Sequence, residues 1–115
     1  NERFFTQAVS NYITNAIKHC KEEGNVYVRV MSGENNIKVE VENDGKHIPE
    51  ENIENIWNMF YQGNDSATLN GQKGSGLGLY LVKSIVELHH GKYGCENVEN
   101  GVVFYIELPK VQKNN

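Results

Sequence analysis

FFTQAVSNYITNAIKHC, residues 4–20, is the stretch whose reading decides the fold. Phe5, Ala8, Val9, Tyr12, Ile13, Ala16, Ile17 and Cys20 recur at the spacing of one helical face. The pattern predicts an amphipathic helix that ends near Gly24. Asn11, Asn15 and Lys18 stand four and three residues apart, so they share a second face at the border of the apolar stripe. An amide oxygen is a hard, neutral ligand suited to Mg2+, which keeps several waters and takes other ligands from phosphate. A lysine one turn on neutralises phosphate charge. The same three side chains also suit a plain solvated stripe, and alone they do not decide between the two.

Working outward, Val26, Val28 and Val30 alternate with Tyr27, Arg29 and Met31, as in a half-buried strand. Gly33 to Asn36 reads as a turn. Ile37, Val39 and Val41 alternate with Lys38, Glu40 and Glu42, as in a second, antiparallel strand. Pro49-Glu50-Glu51 opens a short helix, with acids at the positive end of its dipole and Ile53, Ile56, Trp57 and Phe60 on its apolar face. Residues 62–76 hold almost nothing to bury, which predicts a mobile loop. A further helix carries Leu79, Val82, Ile85, Val86 and His89 on one face, with Gly91 at its C-terminal cap. The chain closes with a hairpin, residues 93–98 pairing with 102–108 across Glu99-Asn100-Gly101. The expected architecture is α+β: a two-layer sandwich in which three helices cover one face of a mixed or antiparallel sheet.

Two further stretches carry candidate chemistry. The alternation that turns Ile37, Val39 and Val41 inward also turns Asn43 inward, while Asp44 points the other way. An inward polar group at a strand end needs a partner, and Gly45 permits close approach by something flat. Gly74-Ser75-Gly76-Leu77-Gly78 runs straight into the later helix. Its glycines let backbone approach phosphates, and the helix start supplies free N–H groups. It is neither a Walker loop nor a dinucleotide fingerprint. A plain turn and a flexible linker remain open for these two stretches.

Composition narrows the classes. The 115 residues suit one domain, and a net charge of −4 argues against nucleic acid or an anionic membrane as partner. Cys20 and Cys95 form no zinc spacing and read as buried free thiols. No apolar run reaches membrane-span length. The chain opens without Met inside a helical pattern, so it reads as a piece of something longer, and an anchor elsewhere in the parent stays open.

Taken in order, these elements resemble the catalytic domain of sensor histidine kinases, in the ATPase superfamily that includes DNA gyrase, the 90-kilodalton heat-shock chaperone and mismatch-repair ATPases. Residues 11–19 resemble the asparagine box, 41–49 the first glycine box, 56–62 the phenylalanine box and 74–79 the second glycine box. The resemblance covers nearly all of residues 1–115. It implies the Bergerat-type ATP-binding fold, ATP and Mg2+ as cofactors, and an ATP lid at about 62–76. Asn15 resembles the direct metal ligand, with Asn11 assisting directly or through water. Lys18 resembles the phosphate contact and His19 a ribose or phosphate neighbour. Asn43, Asp44, Gly45, Ile48, Tyr61 and Gln62 would line the nucleotide, with Lys73, Gly74, Ser75, Gly76, Leu77, Gly78 and Leu79 around the phosphates. Asn11, Lys18, Gln62 and Lys73 are the residues implied for the transfer step.

Three positions depart from the pattern: Asn43 stands for the adenine-binding carboxylate, His47 for the second glycine of its box, and Gln62 for a common arginine. An amide oxygen still accepts from an exocyclic amine. Hydrolytic members of the superfamily carry a glutamate base where this chain has Asn11, so water activation should be poor. The implied activity is phosphoryl transfer from ATP to a histidine on a dimerisation domain that this sequence lacks, in a kinase that forms a homodimer and signals to a response regulator. The implied location is a cytoplasmic domain, itself not membrane-inserted, of a membrane-anchored parent. A hydrolytic ATPase, a serine kinase of the anti-sigma type and a nucleotide-sensing module without catalysis are the alternatives on the same fold.

Overall fold

A computed structural model describes residues 2–59 and 77–110. The described residues form helix α1 (Glu2–His19), strands β1 (Val26–Ser32) and β2 (Asn36–Asp44), two 3-10 turns (Glu50–Asn52 and Asn55–Trp57), helix α2 (Gly78–Leu88), and strands β3 (Lys92–Val98) and β4 (Gly101–Pro109). The four strands make one sheet in the order β1-β2-β4-β3, every neighbouring pair antiparallel.

Helices cover one face of this sheet. Ala8, Tyr12 and Ala16 of α1 are buried at successive turns, as are Val82 and Val86 of α2, against Val39, Val41, Phe104 and Ile106 of the two central strands. Tyr12, Trp57 and Phe104 form an aromatic cluster, with ring centroids 5.4 Å apart for Tyr12–Phe104 and 5.8 Å for Trp57–Phe104. The Tyr12 hydroxyl donates to the Tyr105 carbonyl at 2.9 Å, which meets the needs of its one polar group. The opposite face is charged: Arg29 reaches Glu40 at 3.0 Å and Glu42 at 2.6 Å. Burying a large apolar side chain contributes about 1.5–3 kcal/mol, against roughly 0–1 kcal/mol for an exposed ion pair. The apolar face therefore holds the layers together.

Several boundaries differ from the sequence reading. Helix α1 stops at His19 and not near Gly24, because the chain turns there to join the sheet, with Lys21 N–H donating to Asp44 O at 2.9 Å. The short helix after Pro49 takes the form of two 3-10 turns that still bury Ile56 and Trp57. No side chain caps either turn, and one or two turns are too short for α-helical cooperativity. The left-handed residue ending α2 is His90 (φ 62°) and not Gly91. His90 N–H bonds Glu87 O at 3.1 Å and Gly91 N–H bonds Val86 O at 2.9 Å, the Schellman pattern. Gly91 is small for another reason: a β-carbon there would stand 2.5 Å from Glu107 O. Strand β1 pairs antiparallel with β2 as expected but lies at the sheet edge, leaving Val28 48% and Val30 62% exposed where a half-buried strand was expected. Cys95 is buried as expected, whereas Cys20 is only partly so.

Candidate functional site

The end of β2 meets the end of α1. Gly45 has φ of 152°, a value that disfavours a side chain, and a β-carbon there would lie 2.9 Å from His19 O and 3.3 Å from Asn43 Nδ2. Its N–H donates to Asn100 O at 3.0 Å. This contact brings Lys18 and His19 of α1 beside the strand end that carries Asn43. Lys18 and His19 are both exposed.

Asn43 is 2% exposed and is the buried polar residue among those described. In register it sits between Val26 on β1 and Val102 on β4, neither of which offers a side-chain partner. Its Nδ2 donates to Asp44 O at 3.0 Å. Asp44 faces the other way, and its Oδ2 accepts from Asn25 N–H at 2.9 Å. The inward phase expected for Asn43 holds, and the Asp44 carboxylate is engaged in closing the turn into β1.

The loop after Gly45 is tied to the far hairpin. His47 Nε2 lies 2.6 Å from Val98 O; a carbonyl only accepts, so the ring nitrogen donates. Ile48 N–H donates to Asn97 Oδ1 at 2.8 Å, and Asn97 Nδ2 donates to Ile48 O at 2.8 Å. The sequence reading did not single out Asn97. The signal that found Asn43, a polar residue at the end of an alternating strand, was present there too.

On α1, Asn11 Nδ2 donates to Gly78 O at 3.2 Å, and Gln7 Nε2 donates to Asn11 Oδ1 at 3.0 Å. Asn11 therefore joins the asparagine-bearing face of α1 to the first turn of α2. Asn15, one turn on, is half-buried. No side chain caps the α2 start at Leu77. A β-carbon at Gly78 would meet nothing within 4 Å, so packing does not demand this glycine and the space over it is open. Leu79 is half-buried against the core. Phe60, Tyr61, Gln62, Lys73, Gly74, Ser75 and Gly76, and the loop expected at 62–76, lie outside the described residues. Shallow grooves along another flank of α1, lined by Thr6, Ser10 and their neighbours, share none of the expected site residues.

Burial pushes the Tyr12 hydroxyl well above its ordinary range, and burial followed by the Glu96 charge pushes the Cys95 thiol up to about 11. Both stay protonated at neutral pH and act as structure.

Residues 1–112 match the family described as histidine kinase-, DNA gyrase B- and HSP90-like ATPase. The chain belongs to that family, among the catalytic domains of sensor histidine kinases. It is 36% identical over 110 residues to the sensor histidine kinase YclK of Bacillus subtilis (strain 168), covering 95% of this chain and 23% of that protein's length. The catalytic domain of the histidine kinase ThkA superposes with a TM-score of 0.82 at 35% identity, over 96% of this chain and 68% of that one. ThkA has also been solved in complex with the response regulator protein TrrA, where 34% identity and a TM-score of 0.75 cover 93% of this chain and 28% of that one.

Proposed function

We propose that this chain binds ATP with Mg2+ and supplies the γ-phosphoryl group to a histidine on the dimerisation domain of the same kinase. One observation carries the reading: Asn43, a buried amide at a strand end, lies against Gly45 where the His19 end of α1 arrives. With Nδ2 held by Asp44 O, the Asn43 Oδ1 is the acceptor for the exocyclic amine of adenine. Asp44 supports the turn, Gly45 lets the end of α1 close on the strand beside Asn43, Ile48 gives apolar wall, and Leu77 and Leu79 lie beside the phosphates. Lys18 meets phosphate charge and His19 lies beside the ribose or phosphates.

Among the described residues no group of three His, Cys, Asp or Glu could hold a metal. An amide oxygen suits a magnesium ion carried in by the nucleotide and held mainly by phosphate and water. Asn15 is the direct amide ligand. Asn11, engaged with Gln7 and Gly78, assists and couples that ligand to α2. Bound magnesium would offset charge on the phosphates. Tyr61, Gln62, Lys73, Gly74, Ser75 and Gly76 complete the phosphate side.

In the transfer, an imidazole nitrogen of the acceptor forms a bond to the γ-phosphorus while the bridging oxygen leaves with ADP. Asn11 offers no base for water, and phosphoryl transfer depends mainly on positioning and charge stabilisation. The acceptor domain makes the parent a homodimer, and a response regulator is the next phosphoryl acceptor, in keeping with the ThkA–TrrA complex. No helix among the described residues is long and apolar enough to cross a membrane; with the kinase role proposed here, the domain is the cytoplasmic part of an anchored parent. The test is labelled ATP with the chain alone, with the dimerisation domain, and with that domain lacking its histidine. Acid-labile label should appear in the second mixture only. Label on the chain itself, or rapid phosphate release by it alone, refutes the reading.

A further inference from the structure

Residues 45–48 leave the sheet, yet several of their polar groups have fixed partners. Gly45 N–H bonds Asn100 O, the His47 ring bonds Val98 O, and both backbone polar groups of Ile48 bond the Asn97 side chain. Every partner lies in residues 97–100, the end of the β3–β4 hairpin. Asn97 pairs across the sheet with Val102, and Val102 pairs with Asn43. Residues directly opposite share a face, so Asn43 and Asn97 point to the same side, two strand spacings or about 10 Å apart. The loop 45–48 runs between them.

Ile48 has no strand partner to take its N–H and C=O. The two bonds from Asn97 are each 2.8 Å, part-buried and reciprocal, so they fix the position and tilt of that peptide together. The contrast with Gln7–Asn11 is useful: an exposed pair one helical turn apart is worth only about 0.2–0.5 kcal/mol, too little to impose a geometry. With its N–H taken and its C=O already accepting one bond, Ile48 presents chiefly its apolar side chain to a ligand. The His47 ring is likewise held on Val98 O.

We propose that Asn97 is the positioning residue of the base-binding wall, setting Ile48 and the loop beside Asn43 so that it governs affinity for the nucleotide base and not for the metal-bound phosphates. This inference rests on the nucleotide reading above. Its signature is a split between two terms of binding. In Asn97→Ala and Asn97→Asp, ATP affinity should fall about tenfold, the effect of one net hydrogen bond or slightly more. The factor by which Mg2+ tightens ATP should stay as in the wild type, because the α1–α2 side is untouched. Asn97→Asp keeps the acceptor for Ile48 N–H, loses the donor and sets a carboxylate oxygen against Ile48 O, and it reports where the alanine variant fails to fold. The experiment is calorimetric titration of the chain and both variants with ATP, once with Mg2+ and once with chelator. Variants that bind like the wild type overturn the inference alone, as does a Mg2+ factor that falls in step with ATP affinity, the mark of general loosening. A wild-type chain that binds ATP in neither condition overturns the nucleotide reading itself and the inference with it.

Discussion

Gly45 and the carbonyl of His19 approach so closely that a β-carbon on the glycine would lie 2.9 Å from that oxygen. The contact fastens the last turn of α1 to the exit of β2, and Gly45 has φ of 152° there. Gly45→Ala should therefore destabilise the domain by roughly 1–3 kcal/mol of backbone strain, with steric displacement of α1 added. A urea melt reads the first effect and ATP titration the second. An alanine variant with unchanged midpoint and affinity would show that the contact is slack.

Asn43 and Asp44 separate affinity from stability. Asn43→Ala should lower ATP affinity by about 1–3 kcal/mol, the cost of a lost buried polar partner. Asp44→Ala removes the acceptor for Asn25 N–H and should lower the melting midpoint with little change in affinity. The opposite ranking in titration would mean that the base meets Asp44.

The two asparagines of α1 should also part company. Asn15→Ala should abolish the Mg2+ dependence of ATP binding. Asn11→Ala should leave a weakened dependence, because Asn11 holds Gly78 O as well as assisting the metal side. Identical Mg2+ dependence in Asn15→Ala and wild type would remove Asn15 from the ligand set.

The cysteines give a test independent of nucleotide. At pH 8 an alkylating reagent should label the partly exposed Cys20 in the native chain and reach buried Cys95 only on unfolding. Burial raises the Cys95 thiol from 9.0 to about 11, so between those values the folded state keeps a proton that the unfolded chain releases. Stability from this residue is thus complete below pH 9 and lost as pH rises toward 11. Cys95→Ala should flatten that part of the pH–stability curve; an equal fall in both proteins would assign it to other groups.

Local pattern carried the fold far. Strand periodicity in Ile37, Val39 and Val41 places Asn43 inward, and helical spacing finds the apolar faces of α1 and α2 except at Ile17, which it puts on the core face and which is 63% exposed. Patterns fail where a tertiary contact decides. The stop of α1 at His19 depends on Lys21 meeting Asp44, which is distant in sequence though adjacent in space. The exposure of Val28 and Val30 depends on strand order, since alternation cannot tell an edge from a centre. Asn97 carries the same inward strand-end signal as Asn43, but the partner that gives it a role, the Ile48 backbone, leaves no mark in the sequence. Of the site, the described residues bring Asn11, Asn15, Lys18, His19, Asn43, Asp44, Gly45, Ile48, Leu77, Gly78 and Leu79 into one α–β frame.

The strand order β1-β2-β4-β3 has a consequence for how the domain comes into being. Strands β1 and β2 form a local hairpin early in the chain, but Asn43 then has an open edge on one side. Its other neighbour is Val102, so the floor of the pocket closes only when β4 inserts beside β2. That step joins residues far apart in sequence and is slow relative to hairpin closure. A chain emerging from the ribosome leaves one side of Asn43 uncovered until residues 101–109 have followed, so the proposed base site cannot assemble on a half-made domain.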